Sequence, residues 1–189
     1  IVTGAGRGIG RAIALALGDE GAAVVAVART LSEVEDTAAT LRRKGCRALA
    51  LPADISDWAA VREVAQRAVQ EFGGIHILVN CAGVVGPIGP LVESDVTEWC
   101  RTVQINLIGT YFCCKAVLPF MIRQHWGKII NLSGGGATGP RPNFAAYAAS
   151  KTAVVRLTET LAEELEGHNI HVNVIAPGAV NTRMLDQVL

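Results

Sequence analysis

Ile1-Val2-Thr3-Gly4-Ala5-Gly6-Arg7-Gly8-Ile9-Gly10, running straight into Arg11-Ala12-Ile13-Ala14, is the stretch on which the fold turns. A β-branched run gives way to glycines and then to a helical pattern, so it reads as the tail of a strand, a tight turn and a helix start. Glycine permits the turn and lets backbone amides come close to a ligand. The helix N-terminus adds unpaired N–H groups and a partial positive charge. That combination suits a pyrophosphate, although a plain strand-to-helix connection uses the same residues. The remainder of the chain decides between the two.

Beyond the turn, short apolar runs rich in β-branched residues recur at 23–28, 47–51, 77–80, 128–132 and 171–175. Each is nearly continuous rather than alternating, the pattern of strands covered by helices on both faces. Helical patterns lie between them. Segment 32–44 opens with Ser32 and Glu35 in capping-box spacing, carries Leu31, Val34, Ala38 and Leu41 on one face and stops before Gly45; segment 57–72 repeats the scheme from Trp58 to Phe72. No linker or repeat breaks the alternation. The prediction is a single α/β domain over 1–189, a doubly wound, mostly parallel Rossmann-type sheet with helices on both faces.

Half of the 189 residues are hydrophobic, and 17 basic residues balance 17 acidic ones. Nothing in that balance favours nucleic acid or an anionic membrane, so a small-molecule partner is expected. Five cysteines show no metal-ligand spacing, no metal site is expected, and buried free thiols in a reducing cytoplasm are the simplest reading. No apolar run reaches the length of a membrane span on this reading.

The spacing Thr3-Gly4-x-x-x-Gly8-x-Gly10 resembles the nucleotide loop of the short-chain dehydrogenase/reductase family, and four further segments agree with it in order. Asn80-Cys81-Ala82-Gly83 is similar to the family's Asn-Asn-Ala-Gly turn. Asn106 lies in a helix of the family's kind, Tyr147-x-x-x-Lys151 matches its catalytic pair, and Pro177-Gly178-Ala179-Val180-Asn181-Thr182 resembles its nicotinamide-side turn. The likeness covers the whole chain. It implies cofactor contacts from Gly4, Arg7, Gly8, Ile9, Gly10, Asp54, Ile55, Asn80, Ala82, Gly83, Pro177, Gly178, Val180 and Thr182, and a homodimer or homotetramer. It also implies that the start of the first strand and a C-terminal lid with a last strand lie outside 1–189.

An NAD-selective site of this type needs a carboxylate about 20 positions after the loop. Ala28 and then Arg29 stand there, and the first carboxylate is Glu33. A guanidinium binds a 2′-phosphate bidentately, so Arg29, with Arg7 pointing to the same phosphate, predicts NADP.

Tyr147 and Lys151 stand four residues apart in the predicted helix 144–166 and therefore share a face. An adjacent ammonium favours the phenolate, so Lys151 is expected to lower the phenol's pKa. The family likeness adds that the lysine holds the nicotinamide ribose, the tyrosine trades a proton with the substrate oxygen, and Asn106 helps to hold a water in the relay. The family's serine would fall at Gly134. Either Ser133 reaches in because Gly134-Gly135-Gly136 lets the loop bend, or backbone amides hold the carbonyl; Ser133 is slightly favoured. The expected activity is hydride transfer between NADP(H) and a ketone or secondary alcohol. The rivals are an NAD-linked sugar or steroid dehydrogenase, and a nucleotide-binding protein that has lost catalysis.

Overall fold

The computed structural model describes residues 1–188. Six strands form one sheet: β1 (Val2–Thr3), β2 (Val24–Ala28), β3 (Ala48–Pro52), β4 (Ile77–Asn80), β5 (Gly127–Leu132) and β6 (Ile170–Ile175). Their order is β3-β2-β1-β4-β5-β6, and every pairing is parallel. The sheet is thus doubly wound, as expected, and the direction of winding reverses between β1 and β4. In such sheets the crevice at the carboxyl ends of the strands beside that reversal is where ligands bind.

Strand alternation sorts the core into two layers. Val25, Val27, Leu78, Ile129 and Val172 face one way, against helices α3 (Trp58–Phe72) and α5 (Thr110–Gln124) and the later part of α6 (Ala145–Glu164). Val2, Val24, Ala26 and Val79 face the other way, against α1 (Gly8–Asp19) and α2 (Leu31–Arg43). Full coverage of both faces was expected, yet β6 alternates, with Ile170 and Val172 buried and His171, Asn173 and Ile175 exposed. Among the described residues, only α1 and α2 lie on that second face, and they pack over β1 to β3. The short helix α7 (Arg183–Asp186) follows the loop after β6.

Three local expectations need correction. Ser32 and Glu35 do not form a capping box. The N-cap is Thr30 with no side-chain cap, Ser32 lies inside the helix, and Glu35 pairs with Arg42 at 2.7 Å. Leu31 does not join the buried face of Val34, Ala38 and Leu41; at the helix's first position it remains exposed. Finally, α4 (Val96–Val103), a π turn at Gln104–Gly109 and α5 run on as one helix from Val96 to Gln124, long and apolar enough by length and composition to cross a membrane. Its apolarity is that of a core element, since Cys113, Cys114, Val117 and Met121 are buried against the sheet layer. By contrast, Asp57 caps α3 as its position suggests, accepting from the Ala59 and Ala60 amides.

Candidate active site

The glycine turn joins β1 to α1 at the reversal point of the sheet. Gly4 adopts a left-handed φ of 68°, and a Cβ there would stand 2.9 Å from the Ala82 amide nitrogen, so only glycine lets the turn lie against the Cys81–Gly83 segment. Gly10 is pressed against the Gly4 carbonyl in the same way. Thr3 fastens the two segments, its hydroxyl accepting from the Cys81 and Ala82 amides at 3.1 and 3.2 Å. Arg7, the N-cap of α1, supplies no side-chain cap. The leading amides of a twelve-residue helix therefore face the cleft without a side-chain acceptor, a cradle that fits an anionic pyrophosphate.

The cleft, about 740 Å³, runs from the glycine turn past Ala28 and Asp54 to Tyr147 and the 177–182 loop. Beside Ala28, Arg29 is exposed on the wall. Asp54 accepts from the Ser56 amide and hydroxyl at 2.9 and 2.7 Å. Burial pushes its carboxyl up, but the Ser56 hydrogen bonds and the Arg29 and Arg101 charges outweigh that and hold it below the usual carboxylate range. Ile55 lies beside it. Arg7 does not point into open space: it pairs with Glu33 at 3.2 Å. Glu33, in the first turn of α2, leans over Gly6 and lines the cleft, so a carboxylate does stand on the wall that sequence spacing alone left to Arg29.

At the other end, α6 brings Tyr147 and Lys151 to the cleft wall, 9% and 5% exposed. The Lys151 ammonium donates to the Leu132 carbonyl at 2.7 Å and lies 5.9 Å from the centre of the Tyr147 ring. Burial lowers the Lys151 pKa to about 8. The expected lowering of the phenol by Lys151 does not occur in this structure. Burial raises the Tyr147 pKa, and the opposing charge belongs to Arg141.

Three predicted residues fall differently from the rest. Ser133 lines the cleft, but its hydroxyl donates to the Lys151 backbone carbonyl at 3.0 Å, so its proton is already committed. At position 134 there is no side chain, and a Cβ would collide with the Tyr147 hydroxyl. The Asn80 side chain turns away from the cleft into the sheet, donating to Asn131 on the paired position of β5 at 2.9 Å. Asn106 is fully buried in the π turn; its amide group accepts from the Val84 N–H and donates to the Val84 carbonyl, both at 2.9 Å, with a further donation to Ser150 at 3.1 Å. It clamps a cleft-lining segment rather than facing the cleft. The turn at 177–182 does line the opening, and a Cβ on Gly8 would stand 3.4 Å from the Thr182 methyl.

Sequence reading missed Glu33 as a wall residue and missed Arg141 and Phe144 altogether. The Arg141 guanidinium sits 4.2 Å above the centre of the Phe144 ring and 5.8 Å from that of Tyr147. Its place in Pro140-Arg141-Pro142, six residues before the tyrosine, was the available signal.

A family model described as short chain dehydrogenase matches residues 1–189. The chain is 44% identical over 188 residues to the short-chain reductase protein NovJ of Streptomyces niveus, covering 100% of this chain and 71% of that protein. Among solved structures, levodione reductase superposes with a TM-score of 0.95 at 34% identity, covering 98% of this chain and 73% of that one. An NAD⁺-bound xylitol dehydrogenase superposes with a TM-score of 0.91 at 38% identity, covering 94% of this chain and 68% of that one.

Proposed function

The chain belongs to the short-chain dehydrogenase/reductase family, oxidoreductases that act on alcohols and ketones with a nicotinamide cofactor, and from that premise we propose that it reduces a ketone with NADPH, Tyr147 giving the proton. The observation that carries this reading is the placement of the Tyr147 hydroxyl on the cleft wall beside buried Lys151, at the opposite end from the glycine cradle. When bound, the dinucleotide supplies hydride at its nicotinamide ring. Every other task falls to the chain. The α1 amides and Gly4, Gly8 and Gly10 would receive the pyrophosphate, with Ile9 and the Ala82–Gly83 turn beside it. Asp54 and Ile55 would flank the adenine, Pro177, Gly178, Val180 and Thr182 would line the nicotinamide half, and Lys151 would hold the ribose hydroxyls. Tyr147 is kept protonated by burial, the form that gives its proton to the oxygen of a carbonyl accepting hydride. Asn80 and Asn106 act by position: one fixes the end of β4 to β5, the other fixes the Val84 segment.

Arg29 supports NADP, because it is an exposed guanidinium on the wall beside Ala28, where NAD-selective sites of this type place a carboxylate. One observation favours the second reading, NAD: Glu33 sits over Gly6 with Arg7 already paired to it, and a carboxylate there would accept from ribose hydroxyls and repel a phosphate. The five cysteines stand as free thiols, which favours a reducing compartment such as the cytoplasm. The outward side of α5, with Tyr111 exposed and Phe120 half-buried, supports self-association through helix faces; light scattering that found only monomer would contradict it.

The test is a screen of the protein over ketones and secondary alcohols with NADPH, NADH and their oxidised forms. Substrate-dependent oxidation of NADPH is expected. Tight nucleotide binding with no turnover of any substrate would leave a nucleotide-binding protein without catalysis.

A further inference from the structure

The carbonyl-reducing reading accounts for Tyr147 and Lys151 but gives no serine hydroxyl beside them to orient a substrate. Position 134 is glycine, and the Ser133 proton is committed to the Lys151 carbonyl. The apolar lining of the cleft includes Val84, Val85, Ile105, Leu132 and Phe144, and the loop after β6 adds the polar groups of Asn181, Thr182, Arg183 and Gln187. The strong donor packed beside Tyr147 is Arg141. Arg141 is half-buried, packed over Phe144 with its guanidinium carbon 4.2 Å from the ring centre, and it faces the same space as Tyr147. Among the described residues it has no ion-pair partner within 4.0 Å, although most arginines that line this cleft's other end lie near Glu33 or Asp54.

An arginine held against an aromatic face in an apolar pocket loses little further freedom on binding an anion, and its planar fork of donors matches a carboxylate bidentately. Resting on the reading of this cleft as a carbonyl-reducing site, we infer that Arg141 is a specificity-determining residue that anchors a carboxylate carried by the substrate, so that the protein acts on oxo acids in preference to neutral ketones. Anchoring the acid fixes the reacting carbonyl against the Tyr147 hydroxyl, the positioning that a serine at 134 would otherwise supply.

The test pairs acids with their neutral counterparts: 3-oxobutanoate, 4-oxopentanoate and 4-oxocyclohexanecarboxylate against their methyl esters. Expected for the wild type is a kcat/KM at least about tenfold higher for one or more acids than for the matching ester, carried mainly in KM, as for a hydrogen bond to a charged group. In Arg141→Leu the acid-to-ester ratio should fall to about one, and Arg141→Lys, which keeps the charge but not the fork, should retain part of it. Equal ratios in wild type and Arg141→Leu overturn the assignment. A second measurement does not depend on turnover: calorimetric titration of the NADP-loaded protein with cyclohexanecarboxylate and with cyclohexanecarboxamide. Binding of the carboxylate that Arg141→Leu abolishes supports the site even if every ketone is inert, an outcome that would defeat the reductase reading alone. Failure of the carboxylate to bind wild-type protein better than the amide overturns the inference.

Discussion

The Tyr147 hydroxyl fills the space in which a side chain on Gly134 would stand. A methyl group at 134 must push the tip of the ring aside, and a misplacement of about 1 Å at a reacting group costs on the order of a hundredfold in rate. Gly134→Ala should therefore lower kcat at least about tenfold while the fold loses no more than the ~1–3 kcal/mol of a local overpacking. Steady-state kinetics beside urea unfolding checks both; an unchanged kcat would mean that the ring and the backbone at 134 are not in contact.

Tyr147→Phe removes only the hydroxyl. Turnover should fall by the ~10²–10⁴-fold typical of a general acid, with nucleotide affinity retained. A variant that kept most of the wild-type rate on a confirmed substrate would place the proton donor elsewhere.

Lys151 makes a stability prediction with a definite sign. Its folded pKa, about 8, lies below the value near 10.4 of a free lysine. Below pH 8 both states hold the proton and the burial penalty, roughly 3 kcal/mol, is present in full. Between about 8 and 10.4 the unfolded chain binds more protons, so this group's contribution to stability rises with pH. Lys151→Met should thus be more stable than wild type at pH 7, by up to that amount less the ~1 kcal/mol lost with the bond to the Leu132 carbonyl. The gap should close as pH passes through 8 to 10.4, while catalysis is lost. Denaturant titrations of both proteins at pH 7 and 10 decide it; a gap that widened with pH would reverse the assignment.

Arg29 and Glu33 pull cofactor choice in opposite directions. Arg29→Ala should weaken NADPH binding by ~1.5–3 kcal/mol and leave NADH nearly unchanged, whereas Glu33→Gln should improve NADPH. Equal losses for both nucleotides in Arg29→Ala would remove Arg29 from the 2′ site.

The order of elements, the parallel sheet and the glycine turn were legible in the chain because each rests on local chemistry: short apolar runs, nearly continuous except in the half-exposed β6, glycines where backbone must approach backbone, and a helical pattern behind them. Tyr147 and Lys151 were legible for the same reason, since four residues on a helix fix a shared face. Tertiary structure alone decided what those faces meet. Asn80 turned into the sheet because its register partner is Asn131, a pairing that depends on the neighbouring strand. Asn106 closed on Val84 from 22 residues away. Glu33 crossed 26 residues to Arg7 because α2 packs beside the glycine turn. A second charge beside the phenol, Arg141, is carried there by a loop whose course no periodicity records. Local spacing determines which residues share an element; the side-chain partners that set a carboxylate, an ammonium or a phenol come from other elements, and only packing brings those together.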